Sequence, residues 1–154
     1  MVGRILAIHI TPDGGGLPVP VEAVRAVAGQ GLEGDRYFLR TGTYSKKHDE
    51  SREVTFIESE ALEALQRDYG LELSAAESRR NILTGGAALN HLVGRRFRAG
   101  EAVLEGVRLC EPCGHLEQLT GRSVRAGLVH RGGLRARVIG DGQIRVGDTL
   151  EPLD

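Results

Sequence analysis

Apolar positions along this chain fall mostly in short alternating runs separated by glycine-rich turns. Residues 2–10, VGRILAIHI, read as an opening strand that Pro12 and the glycines at 14–16 bring to an end. Residues 19–28 alternate loosely, and their β-branched content with the GQGLEG turn that follows predicts strand. EVTFI at 53–57 predicts another. The period then changes. Ala61, Leu62, Leu65 and Tyr69 recur three or four apart, which predicts a helix over 58–69 closed by Gly70. Ser74 and Glu77 stand at capping-box spacing, so a short helix is expected to begin at Ser74. It would deliver Arg79, Arg80 and Asn81 at its end, ahead of a strand at 81–83.

From residue 92 onward the pattern is strand and turn: LVGRRF, AVLEGVRLC, LRARVIGDG and IRVGDTL. GDG at 140–142 predicts a tight hairpin in which Asp141 and Gly142 take positive φ. Short helical pieces are expected at 115–119 and 123–128. Residues 40–52, RTGTYSKKHDESR, have no periodic apolar set and predict a long exposed loop. No repeat or linker divides the chain. The expectation is a mainly β fold, one domain over 1–154, forming a mostly antiparallel β-barrel with a few short helices.

Composition sharpens this reading. Glycine occurs 22 times in 154 residues, about twice the usual share, and its scatter fits tight turns rather than collagen or low complexity. A net charge of −1 gives no global attraction to nucleic acid or membrane. No apolar run approaches the ~20 residues that span a bilayer, and the N-terminus lacks the long apolar core of a signal peptide. A cytoplasmic location is the expectation. Cys110 and Cys113, three apart, suit reactive thiols or metal ligands better than a staple of the fold.

The segment Cys110-Glu111-Pro112-Cys113-Gly114-His115 admits several chemistries. As a zinc site it supplies two thiolates and His115, one ligand short of the usual four. As a dithiol redox pair it has suitable spacing but stands in all-β surroundings. Two inert buried thiols are the plain alternative, against which Pro112 and Gly114 place Cys113 on a turn. The remaining reading makes Cys113 a single thiolate, a soft ligand or a sulfur carrier. Basic clusters recur near strand ends: Gly34-Asp35-Arg36-Tyr37, Arg79-Arg80-Asn81 and His130-Arg131-Gly132-Gly133. Each is adjacent to glycine or a helix end, where backbone approaches a ligand closely, and arginine suits bidentate phosphate recognition. Asp35 is placed to orient Arg36 by a salt bridge or to bind a ligand amine.

Taken together, GLEGDRY at 31–37, RRNI at 79–82, LNHLVGRRFRAGEAVLEGVRLCEPC at 89–113 and HRGGLRARVIGDGQIRVGD at 130–148 resemble the MOSC domain, named for the C-terminal domain of molybdenum cofactor sulfurases. The resemblance covers nearly the whole chain in order. It implies a barrel related to that of pyruvate kinase, and a pocket for a molybdopterin-type cofactor. Cys113 best matches the family cysteine, which coordinates molybdenum or carries sulfur, and Cys110 is the alternative. On this resemblance Arg36, Arg80 and Arg131 are candidate clamps for the cofactor's phosphate, with Asp35 and Arg79 beside them. Asn81 is a candidate partner of the pterin, and His115 or His130 a proton donor. The implied activity is reduction of N-hydroxylated compounds. The alternatives are a persulfide carrier working with a cysteine desulfurase, or a binding module for the cofactor; a reductase would need an electron-donor protein.

Overall fold

The computed structural model describes residues 1–13, 16–40, 49–111 and 124–153. The chain runs β1 (Gly3–Ile10), β2 (Val19–Val21), β3 (Ala23–Val27), β4 (Gly31–Leu32), α1 (Arg36–Leu39), β5 (Val54–Glu58), α2 (Ser59–Tyr69), α3 (Ala75–Ser78) and β6 (Ile82–Gly85). After a 3-10 turn (Leu89–Leu92) come β7 (Arg96–Ala99), β8 (Ala102–Leu109), α4 (Arg125–Leu128), β9 (Leu134–Gly140), β10 (Gly142–Arg145) and β11 (Thr149–Pro152).

Seven strands close into a barrel in the order β1, β11, β7, β8, β9, β5, β6, with β6 returning to β1. The mainly β barrel with short helices is therefore the fold. Every barrel pairing is antiparallel except β5 with β6, which α2 and α3 connect as a crossover, since parallel neighbours cannot be joined by a tight turn. Alternation in the sequence sets the inside. On β9, Leu134, Ala136 and Val138 are buried while Arg135 and Arg137 face outward. Ile5, Ile8, Phe56, Ile82, Phe97 and Leu104 fill the interior. Phe56 and Phe97 meet edge to face there, with ring centroids 5.5 Å apart. Leu89 and Leu92 of the 3-10 turn join this core.

The helix signals match closely. Gly70 ends α2 at φ 67°, and Ser74 forms the full capping box with Glu77. Two strand expectations need correction. Residues 19–28 are not one strand: the chain breaks at Glu22, β2 joins β1, and β3 belongs to a separate sheet with β10 and β4. Nor is there a positive-φ hairpin at 140–142. Neither Asp141 nor Gly142 has positive φ, and β10 leaves β9 to pair with β3. Gly142 serves a different need, because a Cβ there would collide with the backbone of Glu101 and Ala102. The Asp141 carboxylate accepts from the Ala28 N–H at 2.7 Å and so pins this crossing. Of the expected loop at 40–52, residues 41–48 lie outside the described residues, as does the short helix at 115–119. The helix expected over 123–128 is present as α4, which packs on α2 through Leu65, Val124 and Leu128. Among the described residues no helix is long and apolar enough to cross a membrane.

Candidate functional site

A polar belt crosses the outer face of the barrel where the sequence placed its basic clusters. Arg108 on β8 stands directly opposite Arg135 on β9, and Arg135 stands opposite Thr55 on β5. Thr55 is bonded to Asn81 at the start of β6, and Asn81 to His9 on β1. Thr55 and Asn81 are buried although they face away from the barrel core, and the segment around α1 lies nearby, bonded through Arg36 to the Arg79 carbonyl.

Asp35 holds that segment down. Its carboxylate is fully buried, accepts from the Thr11 N–H at 2.8 Å and caps α1 through Tyr37 N–H. It also lies 3.4 Å from Arg36 Nη1, so the expected orienting salt bridge is present. Arg36 Nη2 donates to the Tyr37 hydroxyl and to the Arg79 carbonyl, each at 3.4 Å, and the guanidinium lies over the Tyr37 ring. The first two basic clusters of the sequence thus meet. Arg79 caps α3 in the left-handed region and donates to the Gly16 carbonyl at 2.9 Å. Burial, then the nearby Arg36 charge, lower its pKa.

Arg80 has a different position. Its buried guanidinium donates to the carbonyls of Gly132 (2.8 Å), Cys110 (3.2 Å) and Ser78 (3.5 Å), and among the described residues no carboxylate pairs with it. It therefore ties together the end of β8, the approach to β9 and the end of α3. Asn81 is likewise engaged: Oδ1 accepts from Thr55 N–H and Oγ1, and Nδ2 donates to the His9 carbonyl.

The third cluster divides. Gly132 joins the site through Arg80, whereas the His130 and Arg131 side chains turn elsewhere. His130, left-handed at φ 59°, donates its backbone N–H to the Glu111 carboxylate at 3.1 Å and keeps its ring largely exposed. Arg131 reaches to 3.9 Å from Asp68 on α2. Both line a shallow depression of about 370 Å³ with Glu58, Glu60 and Asn90. Burial, then the neighbouring Glu60, raise the pKa of Glu58 there.

Cys113 and His115 lie outside the described residues. Cys110, at the end of β8, is buried, and its N–H donates to the Gly133 carbonyl at 2.7 Å. Among the described residues no cluster of histidine, cysteine and carboxylate side chains is placed to hold a metal ion. Reasoning from sequence missed Arg108, Arg135, Ser51 and the Tyr37 hydroxyl. The alternation of LRARVI marks Arg135 as outward-facing, but the register that sets it against Arg108 depends on a bulge in β8 that no sequence pattern announces.

The description of the MOSC domain matches residues 32–151. No curated protein matches the chain. Among solved structures, the YuaD protein from Bacillus subtilis superposes with a TM-score of 0.80 at 16% identity, covering 99% of this chain and 96% of that one. YiiM from Geobacillus stearothermophilus gives 0.73 at 17%, covering 99% and 75%. YiiM from Escherichia coli gives 0.70 at 21%, covering 98% and 70%. At these identities the likeness is one of fold. The match over residues 32–151, with the closed barrel just described, makes this chain a member of the MOSC domain family.

Proposed function

We propose that this chain binds a molybdopterin-type cofactor at the outer belt and reduces N-hydroxylated compounds there. The supporting observation is the contact of Arg36 with Arg79 beside the strand end that leads into the cysteine segment, with Arg80 bonded to Cys110 at the base of that segment. Arg36 at the start of α1 and Arg79 at the end of α3, with the buried Asp35 carboxylate as anchor, suit the terminal phosphate of such a cofactor. Arg36 and Arg79 are the clamp in this reading. Arg80 and Asn81, engaged with chain carbonyls and Thr55, act instead by holding the surrounding backbone in place. Arg131 lies with Asp68 and has no part in the clamp. Cys113 is the thiolate ligand, and His115 remains the proton donor of choice, since the His130 ring lies out in solvent. When bound, the cofactor would supply two-electron chemistry, while this chain's residues would bind it, orient it and deliver a proton.

The test is the molybdenum-to-protein ratio of material from a host that makes the cofactor, for the native chain and for Arg79→Met. A ratio near one that falls at least tenfold in the variant supports the reading. A ratio near zero with Cys113 persulfidated transfers the function to sulfur carriage with a desulfurase partner. Metal retained without N-hydroxy reduction by any electron donor leaves a cofactor-binding module.

A further inference from the structure

Beside the Arg36–Arg79 clamp the belt carries a second pair of arginines. Arg108 and Arg135 are directly opposed on one face of the β8–β9 pair, an arrangement that like charges disfavour in an antiparallel sheet. Their surroundings reinforce the arrangement. Arg135 Nη1 donates to the Tyr37 hydroxyl at 3.3 Å and to the Ser51 carbonyl at 3.2 Å. Arg108 Nη2 donates to the Ser51 hydroxyl at 3.4 Å. Asp49 accepts from the Ser51 hydroxyl at 2.6 Å and its N–H at 2.8 Å, and these bonds, with the charges of Arg52 and Arg108, lower its pKa. The Tyr37 oxygen accepts from both Arg36 and Arg135, which occupies its acceptor positions and leaves its O–H as a donor. Among the described residues no acceptor takes that hydrogen.

We propose that Arg108, Arg135 and Tyr37 form a second oxyanion subsite, next to the Arg36–Arg79 clamp, that recognises a carboxylate or phosphate group on the substrate. The assignment to substrate rests on the cofactor reading above. The subsite itself rests on the strand register and the hydroxyl. An oxyanion placed between the opposed guanidiniums accepts N–H bonds from both and the phenolic O–H. The substrates so selected are anionic N-hydroxylated compounds.

The experiment measures binding of inorganic phosphate and of benzoate to the purified chain by calorimetry at low ionic strength, whatever its molybdenum content. Variants are Arg108→Met, Arg135→Met and Arg131→Met, each checked for folding by circular dichroism. Arg108 is exposed, so its variant keeps the test open if Arg135→Met does not fold. The expected result is saturable binding of at least one anion, weakened threefold or more by Arg108→Met and less than threefold by Arg131→Met, since Arg131 lies with Asp68 outside the clamp. The anion that binds identifies the substrate group. Absence of binding, a loss below threefold in Arg108→Met, or a threefold or larger loss in Arg131→Met overturns the subsite. Molybdenum content is measured separately, so this proposal and the cofactor reading fail independently.

Discussion

Asn81 and Thr55 hold each other by backbone and side chain together across the junction of β6 and β5. Asn81 Oδ1 accepts from Thr55 N–H at 2.9 Å and from its hydroxyl at 3.1 Å, while Asn81 N–H donates to the same hydroxyl at 2.9 Å. Both residues are about 1% exposed. β5 and β6 are the parallel pair of the barrel, so this knot fixes their register where the chain arrives from α3. Asn81→Ala removes the acceptor and leaves a buried Thr55 N–H without its partner. The expected loss is about 2–3 kcal/mol of stability by urea denaturation. A loss under about 1 kcal/mol would show that water or a shifted backbone replaces the amide.

Arg80 and Arg131 were equivalent as sequence candidates and are physically opposite. Arg80→Met leaves the carbonyls of Gly132, Cys110 and Ser78 without their donor in a buried setting. About 2–4 kcal/mol of stability should be lost. Arg131→Ala removes a half-exposed side chain 3.9 Å from Asp68 and should cost less than about 0.5 kcal/mol. Paired denaturation curves check both. Similar losses would mean that the Arg80 bonds do not hold the loop ends together.

Why the sequence revealed the helices and the core but not the whole belt follows from what each depends on. The Ser74 capping box and the Gly70 stop are local, and both were readable from a few consecutive residues. The inward alternation of Leu134, Ala136 and Val138 is equally local. The turn at 140–142 misled because Asp-Gly signals a hairpin only where the next strand returns beside the last. Here a tertiary contact of Asp141 with Ala28 sends β10 to another sheet. Arg36 and Arg79 could be named from their motifs, whereas their contact depends on the buried Asp35 and on α3 ending in a left-handed residue. The pairing of Arg108 with Arg135 lies furthest from view, since a one-residue shift of register would separate them.

Two groups give the stability curve opposite contributions toward acid. Burial holds the His9 imidazole below the ordinary histidine value, so the unfolded chain takes up a proton at about pH 6.5 that the folded chain refuses until lower pH. Its contribution is present above that value and is lost as the pH falls through it. Glu58 acts in the other direction, because burial and Glu60 raise its pKa and the folded chain takes that proton first. The difference between the native chain and His9→Gln cancels the Glu58 effect. The variant should lose less stability than the native chain between about pH 7 and pH 5. Identical slopes would place the imidazole in free solvent.

A separate acid limb belongs to Glu105. Arg137 donates to one of its oxygens at 2.7 and 3.0 Å, and these bonds, ahead of the charge of Arg96, lower its pKa. A depressed carboxylate contributes stability above its unfolded value of about 4.3 and loses it as the pH falls through the folded value. Glu105→Gln should therefore be less stable than the native chain at neutral pH and converge with it in acid. A constant offset down to about pH 2 would show that the bonds to Arg137 do not depend on the charge of Glu105.

Gly133 links the barrel to the cysteine segment. It adopts φ 111°, a Cβ on it would collide with the Phe56 carbonyl oxygen, and its own carbonyl accepts the Cys110 N–H. Gly29, at φ 74°, has nothing within 4 Å of such a Cβ. Alanine at Gly29 meets only the backbone cost, about 1–2 kcal/mol. Alanine at Gly133 adds to a comparable backbone cost the displacement of β5 from β9, for a total of about 3–5 kcal/mol. Urea denaturation of the two variants checks the difference. Because Phe56 also packs on Phe97, the displacement reaches the core as well as the Cys110 bond. On the cofactor proposal, molybdenum retention per folded molecule should fall in Gly133→Ala and match the native chain in Gly29→Ala. Equal retention in the two would mean that the cysteine segment takes its position from contacts other than the β9 junction.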